Sequence, residues 1–269
     1  MKIAAAQLNF HVGNFEFNRK KIIDYIRSAV QKKIDLLVFP ELAICGYPPR
    51  DFLEFNDFVE KCIASIESIA LETKDIAVVI GGPSKNNTGK GKSLFNSAYV
   101  LVNGRVKEII NKTLLPTYDV FDEYRYFEQS RVFNVIEIKG KNIGIAICED
   151  LWNVGNNPLY TQTPALELKE LGAEIIVNIS ASPFSYLQDS NRKEVLKENT
   201  EKTNIPIVYC NHVGAQTELI FDGGSFFMNS DGKVVKQSPF FSEDLLISEL
   251  INGQFLKGNV QSGSKIQLI

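Results

Sequence analysis

Three strand-like runs in this 269-residue chain each end at a side chain that could do chemistry: Phe39-Pro-Glu41, Asn111-Lys112 and Ile147-Cys148. The third is the sharpest. In Asn142-Ile-Gly-Ile-Ala-Ile-Cys-Glu-Asp-Leu-Trp152, residues Ile143 to Ile147 are apolar or Gly, as in a strand buried on both faces. The run halts at Cys148, and the carboxylates Glu149 and Asp150 follow at once. A thiol at that point is placed like a nucleophile on a strand-to-helix turn. A free thiol, with a pKa near ~8.5, is mostly protonated at neutral pH and needs a base. His is the usual base, but the chain has only His11 and His212, and no Asn or Asp spacing builds a Cys-His triad around either. A carboxylate in a dry pocket gains proton affinity, so Glu41 is the alternative base. Lys112 would offset its charge and donate to the oxygen of a tetrahedral intermediate, together with a backbone N–H after the nucleophile. Read singly, each residue also fits a plain structural role. Cys148 is then a small buried hydrophobe, Glu41 a loop or cap carboxylate, Lys112 a solvated strand end and Glu123 a surface charge.

The elements that must position these groups can be read from the same sequence. Residues 2–8 and 35–39 are strand-like, with an amphipathic helix over 14–33 between them, carrying Ile22, Ile26, Ala29 and Val30 on one face. After a loop with Gly46 and Pro48-Pro49, a helix over 58–73 leads to a strand at 76–80, closed by Gly81-Gly82-Pro83. Asn103-Gly104 turns a hairpin within 95–111, whose second strand delivers Lys112. Beyond a long loop, 113–130, come strands at 133–138, 142–147, 173–179 and 207–211 and helices over 163–171 and 189–204, the last capped by Asp189 or Ser190. A second hairpin spans 225–236, and the tail from Asn252 is polar. Strands alternating with helices, with hairpins mixed in, argue an α/β domain with a mixed sheet and helices on one face of it.

Composition bounds the function. Hydrophobic residues make up 44% and charged residues 23%, as in a globular domain. With 29 basic against 32 acidic residues the net charge is −3, which favours neither nucleic acid nor an anionic membrane surface as partner. No apolar run approaches the ~20 residues of a membrane span. The N-terminus has no signal-peptide pattern, and Cys45, Cys62, Cys148 and Cys210 make no metal-ligand spacing, so reduced thiols in a cytoplasm are expected.

Three segments together, Phe39-Pro-Glu-Leu-Ala-Ile-Cys-Gly-Tyr47, Lys112-Thr-Leu-Leu-Pro116 and Ile147-Cys-Glu-Asp-Leu-Trp152, resemble the nitrilase superfamily of carbon–nitrogen hydrolases. The likeness runs from Lys2 to about Phe241. More narrowly, Gly46-Tyr-Pro-Pro-Arg-Asp51, Leu115-Pro-Thr-Tyr-Asp-Val-Phe-Asp-Glu-Tyr-Arg-Tyr-Phe127 and Asn178-Ile-Ser-Ala-Ser-Pro-Phe184 are similar to the glutaminase domain of glutamine-dependent NAD⁺ synthetases. The resemblance implies a four-layer α-β-β-α sandwich with mixed sheets. It implies hydrolysis of the glutamine side-chain amide through a thioester on Cys148, with Glu41 as base and Lys112 and the Glu149 N–H on the oxyanion. Glu123 would orient Lys112 and the substrate, Tyr47 and Tyr118 would line the pocket, and Ser182 with the segment after it would hold the α-carboxylate and α-amine. The family often has Lys or Arg where this chain has Gln188, and Arg192, one helical turn on, is the substitute available. No cofactor or metal is implied for the amidase step. ATP and Mg²⁺ would serve a synthetase domain whose Ser-Gly-Gly-x-Asp-Ser loop does not occur here, so residues 1–251 would be the hydrolase domain and 252–269 a tail leading towards that partner in cis. The chain would then be a piece ending at a domain boundary, or a natural stand-alone amidase. Homo-oligomers are expected by the same likeness. A stand-alone ω-amidase or carbamoylase is the alternative within the superfamily, and a non-catalytic docking module the alternative outside enzymes.

Overall fold

A computed structural model describes residues 1–155 and 159–260. The first half opens with β1 (Lys2–Gln7), α1 (Phe15–Gln31), β2 (Leu36–Val38), α2 (Asn56–Ala70), β3 (Ala77–Lys85), β4 (Leu94–Val102) and β5 (Arg105–Asn111). Asn14 caps α1 by accepting the Phe17 N–H at 3.3 Å, and the expected stripe buries Ile22, Ile26 and Ala29. Asn103 and Gly104 turn the β4–β5 hairpin with φ of 55° and 76°, the sign a type I′ turn requires.

The end of β3 differs from expectation. β3 does not close at Gly81-Gly82-Pro83; it continues to Lys85, with Pro83 paired to Asn96 of β4. Pairing between β2 and β3 ends at Val38–Val79, so the extension has a sheet neighbour on one side only, where a proline is tolerated. Gly81 is needed there for space, because a Cβ would lie 2.6 Å from the Glu41 Cα.

The second half contains α3 (Glu123–Tyr126), β6 (Val135–Ile138), β7 (Lys141–Ile147), α4 (Pro164–Glu170), β8 (Ile175–Ser180), α5 (Gln188–Thr203), β9 (Ile207–Asn211), β10 (Val213–Gln216), β11 (Leu219–Asp222), β12 (Phe226–Met228), β13 (Val234–Gln237), β14 (Asp244–Ile251) and β15 (Gln254–Phe255). Neither Asp189 nor Ser190 caps α5. The helix starts at Gln188 behind Leu187, and Asp189 sits inside the first turn, bonded to Lys193 at 2.8 Å. Three features were not anticipated: the short β10–β11 hairpin, β14, which closes the first sheet by running antiparallel to β1, and β15, which falls in the polar tail. The rest of that tail, from 261, lies outside the described residues.

There are two mixed sheets rather than one. The first has the order β15-β14-β1-β2-β3-β4-β5, the second β13-β12-β9-β8-β7-β6, and each is built on three parallel strands flanked by antiparallel ones. Successive side chains of a strand point to opposite faces, which sorts the core into three apolar layers. Ala4 and Ala6 of β1 pack with Ile22, Ile26 and Ile66 of α1 and α2. Ile3 and Ala5, on the other face, join Val38, Val79, Ile145, Val177 and Val208 between the sheets. Ala146, Ile176 and Ile207 pack with Leu168 and Leu196 of α4 and α5. The chain is therefore a four-layer α-β-β-α sandwich. Each full apolar burial contributes about 1.5–3 kcal/mol, and burial on both faces is why β7 reads as an unbroken apolar run.

Candidate active site

The thiol comes first. β7 ends at Ile147, and Cys148 turns the chain into a short 3₁₀ turn, Cys148–Leu151, with φ of 44°. A left-handed residue other than Gly costs about 1–2 kcal/mol and persists where the surroundings over-determine it. Asp150 supplies that restraint. Its carboxylate accepts the Ile147 N–H at 2.9 Å, the Leu114 N–H at 2.8 Å and the Thr113 N–H at 3.0 Å. One side chain so fastens the nucleophile turn to the segment that follows Lys112. Burial pushes the Asp150 carboxyl up to about 7, against those three donors. From behind, Asn199 of α5 donates to the Leu151 carbonyl at 2.7 Å.

Beside the thiol lies a buried row of charge. Glu41 leaves β2 through Phe39-Pro40 and is 0% exposed, as is Lys112 at the end of β5. Lys112 Nζ donates to Glu41 Oε1 at 2.7 Å and to Glu123 Oε1 and Oε2 at 2.9 and 2.8 Å. Asn96 Nδ2 bridges the same two carboxylates, at 2.7 Å to Glu41 and 3.2 Å to Glu123. The Ala181 N–H holds the other Glu41 oxygen at 2.9 Å, and Tyr47 donates to Glu123 at 3.1 Å. Burial alone would strip the proton from Lys112, but the charges of Glu123 and Glu41 outweigh it and hold the ammonium firmly. Burial, with repulsion from Glu41, keeps Glu123 more protonated than usual, against the pull of Lys112. Burial, and then the Glu41 charge, push the Cys148 thiol well up, with Lys112 offsetting part of the effect. The resting group is thus a thiol, and its attack must be coupled to loss of the proton.

Cys148, Tyr118, Glu149 and Ser182 line one cleft of about 380 Å³, with Trp152 and Phe184 as apolar walls. The Glu149 side chain is tied by the Tyr118 hydroxyl at 2.9 Å and that of Tyr160 at 3.0 Å. Ser182 sits on the β8 side, its N–H donated to Asn211 Oδ1 at 2.9 Å. Two expected pocket residues stand elsewhere. Tyr47 lies behind Glu123 and lines a neighbouring hollow of about 440 Å³. Arg192 is 1% exposed and is not a wall of the cleft. Its guanidinium faces Asp222 at 2.8 Å and donates to Ser182 Oγ, Ser182 O and Pro183 O at 3.0, 2.9 and 2.8 Å. It is consumed in bracing the Ser182-Pro183 segment, which corrects the expectation that it replaces a cation for an α-carboxylate.

Sequence reasoning missed Asn96, Asp150 and Tyr160. Asn96 carried no signal that set it apart from Ser97 beside it in β4. Asp150 carried none that separated it from Glu149. His212 is close but faces the backbone: its Nε2 lies 2.6 Å from the Glu41 carbonyl oxygen. A carbonyl only accepts, so Nε2 carries the proton.

A thiol on a strand-end turn, beside buried acid and ammonium and under an open cleft, is equipped for acyl transfer. The chain belongs to the carbon–nitrogen hydrolase family, whose sequence profile matches residues 2–253. Among curated proteins it is 39% identical over 252 residues to a glutamine-dependent NAD(+) synthetase of Synechocystis sp., covering 91% of this chain and 45% of that one. The corresponding protein of Acinetobacter baylyi is 36% identical over 251 residues, with 92% and 44% covered. Among solved structures, a glutamine-dependent NAD+ synthetase of Acinetobacter baumannii in complex with ADP superposes with a TM-score of 0.89 at 33% identity, over 98% of this chain and 48% of that one. An amidase of Nesterenkonia sp. shares the fold, with a TM-score of 0.79 at 21% identity. The chain spans less than half the length of the curated relatives it matches.

Proposed function

We propose that this chain hydrolyses the side-chain amide of L-glutamine to glutamate and ammonia, as the glutaminase part of a glutamine-dependent NAD⁺ synthetase. The observation that carries this reading is the buried Glu41–Lys112–Glu123 row beside the Cys148 thiol, in a chain similar to curated proteins that bear that name. As Sγ attacks the amide carbon, the thiol proton passes to Glu41. The carbonyl oxygen, now an oxyanion, is received by Lys112 Nζ and the Glu149 N–H. Glu41 returns the proton to the departing nitrogen, which leaves as ammonia, and a thioester remains on Cys148. Water then adds to the thioester carbon, giving a proton to Glu41. Collapse of that intermediate frees glutamate, and Sγ regains its proton. Glu123 and Asn96 keep Lys112 aimed at the oxyanion through both steps.

The further assignments follow from the same reading. Residues 1–251 form the hydrolase unit and 252–269 lead towards a synthetase half acting in cis, which would use ATP and Mg²⁺ to amidate a deamidated NAD with the ammonia. No residue of this chain is assigned to those cofactors, and among the described residues no group of three or more His, Cys, Asp or Glu could hold a metal ion. Cytoplasmic location and self-association belong to this proposal too. In the described residues no helix is long and apolar enough to cross a membrane, and size-exclusion chromatography with light scattering reads the assembly. The direct test is ammonia release from L-glutamine, expected in the wild type and lost in Cys148→Ala. Release that survives the substitution rejects the assignment.

A further inference from the structure

The groups that must meet in this site come from both sheets. Glu41 follows β2 and Lys112 follows β5 in the first sheet, whereas Cys148 follows β7 in the second. Between the sheets lies one apolar layer, with Val38 and Val79 from the first and Ile145 and Val177 from the second. Apolar contact is non-directional, so it does not fix how far one sheet slides over the other. Polar links do. On the Glu41 side, the Ala181 N–H, after β8, reaches Glu41 Oε2 at 2.9 Å, and His212 Nε2, after β9, stands 2.6 Å from the Glu41 carbonyl oxygen. On the Lys112 side, the backbone of Lys112 bonds elsewhere: its N–H donates to the Asn96 carbonyl at 2.8 Å, and its carbonyl accepts the Ser130 N–H at 3.0 Å. Among the described residues, the hydrogen bonds that carry this strand end across to the nucleophile turn are those of Asp150. Its Oδ1 takes the Thr113 and Leu114 N–H groups, and its Oδ2 takes the Ile147 N–H, one residue before the thiol. The two oxygens of one carboxylate thus hold the two halves of the site. Burial raises that carboxyl from 3.8 to about 7. As pH rises between those values the unfolded chain releases a proton that the folded chain keeps, so the ionised group lowers stability, fully so above 7. A carboxylate kept there although it lowers stability argues for a part in the reaction.

Resting on the amide-hydrolase reading of the cleft, we propose that Asp150 is a positioning residue for the reaction: its carboxylate fixes the nucleophile turn of one sheet against the Lys112 strand end of the other, and so sets where Cys148 Sγ stands relative to the ammonium that receives the oxyanion. Asp150 acts through Cys148 and Lys112 and touches no reacting atom. An amide in its place has one acceptor oxygen, and its NH₂ would confront a backbone N–H, so it can hold one half of the site but not both. A misplacement of about 1 Å at a reacting centre lowers the rate by about a hundredfold.

The test is Asp150→Asn, with kcat and KM for ammonia release from L-glutamine measured per folded molecule, the folded fraction being read by circular dichroism at the assay temperature. The expected result is a kcat lower by about a hundredfold with KM within about threefold of the wild type, because alignment of the reacting groups is lost and the walls of the cleft are not. A second chain serves should that variant not fold: the backbone amide of Leu114 replaced by an ester, which removes one of the three N–H donors and leaves every side chain in place. It is expected to lower kcat by about tenfold, again with KM little changed. A kcat within about threefold of the wild type in either folded chain overturns the positioning role and leaves the hydrolase reading intact, as does a loss confined to KM. No ammonia from glutamine with the wild type overturns both.

Discussion

At the scale of single residues, the account turns on why a thiol held in its protonated form can still be the nucleophile. Burial and the Glu41 charge hold Cys148 protonated, and Lys112 works against them. Glu41→Gln removes a negative charge and leaves the ammonium, so the thiol should lose its proton more easily. Iodoacetamide labelling of Cys148 followed against pH should therefore show its midpoint at lower pH in Glu41→Gln than in the wild type, while amide hydrolysis falls for want of a base. An unmoved or higher midpoint would mean that Glu41 does not act on the thiol. This trio was legible in the sequence because each member stands at the end of a strand-like run. Asn96 and Asp150 were not legible as site residues. Their importance lies in whom they touch across 55 and 37 positions of chain, and spacing alone does not encode that.

Elements bring those residues to one place, and two contacts show how. Gly81 lets the end of β3 pass against the Glu41–Leu42 backbone with no side chain between them. Gly81→Ala should displace Glu41 and lower kcat by about tenfold or more, since small misplacements near a reacting centre carry large rate costs. Unchanged kinetics in a folded variant would show that this approach is not what positions the carboxylate. On the opposite side His212, after β9, donates to the Glu41 carbonyl. Burial lowers its pKa from 6.5 to about 4. Above 6.5 it is neutral whether folded or not. As pH falls from 6.5 to 4 the unfolded chain takes up a proton that the folded chain refuses, so stability is lost across that window, by roughly 3 kcal/mol from this group. Denaturant titrations of His212→Gln, which keeps an N–H donor without the titration, should show a flatter decline between those pH values; an identical slope would place the acid sensitivity elsewhere. The α5 start and the β10–β11 hairpin escaped the sequence for related reasons. Asp189 looked like a cap, but the chain enters the helix from the Ser182–Phe184 wall, and that entry sets where the helix begins. The hairpin strands are four residues each, too short for a period-two signal.

For the molecule as a whole, alternation of strands and helices gave the α/β class but suggested a single sheet. What it could not count was the layers. A strand buried on both faces reads the same whether a helix or another sheet covers its second face, and here the second face of each sheet is the other sheet. β14 was hidden because Asp244-Leu-Leu-Ile-Ser-Glu-Leu-Ile251 mixes spacings, and pairing with β1 decides its form. The chain matches less than half the length of its curated relatives, yet both sheets and the entire acid–ammonium–thiol group lie within it. Only the folded whole unites positions 41, 112 and 148, so the decisive measurement is covalent: acid-quench the protein during turnover of L-glutamine and examine Cys148 by peptide mass spectrometry. The account predicts a glutamyl thioester on Cys148 that is absent when the protein is unfolded beforehand. Steady release of ammonia from glutamine with Cys148 never acylated would contradict it.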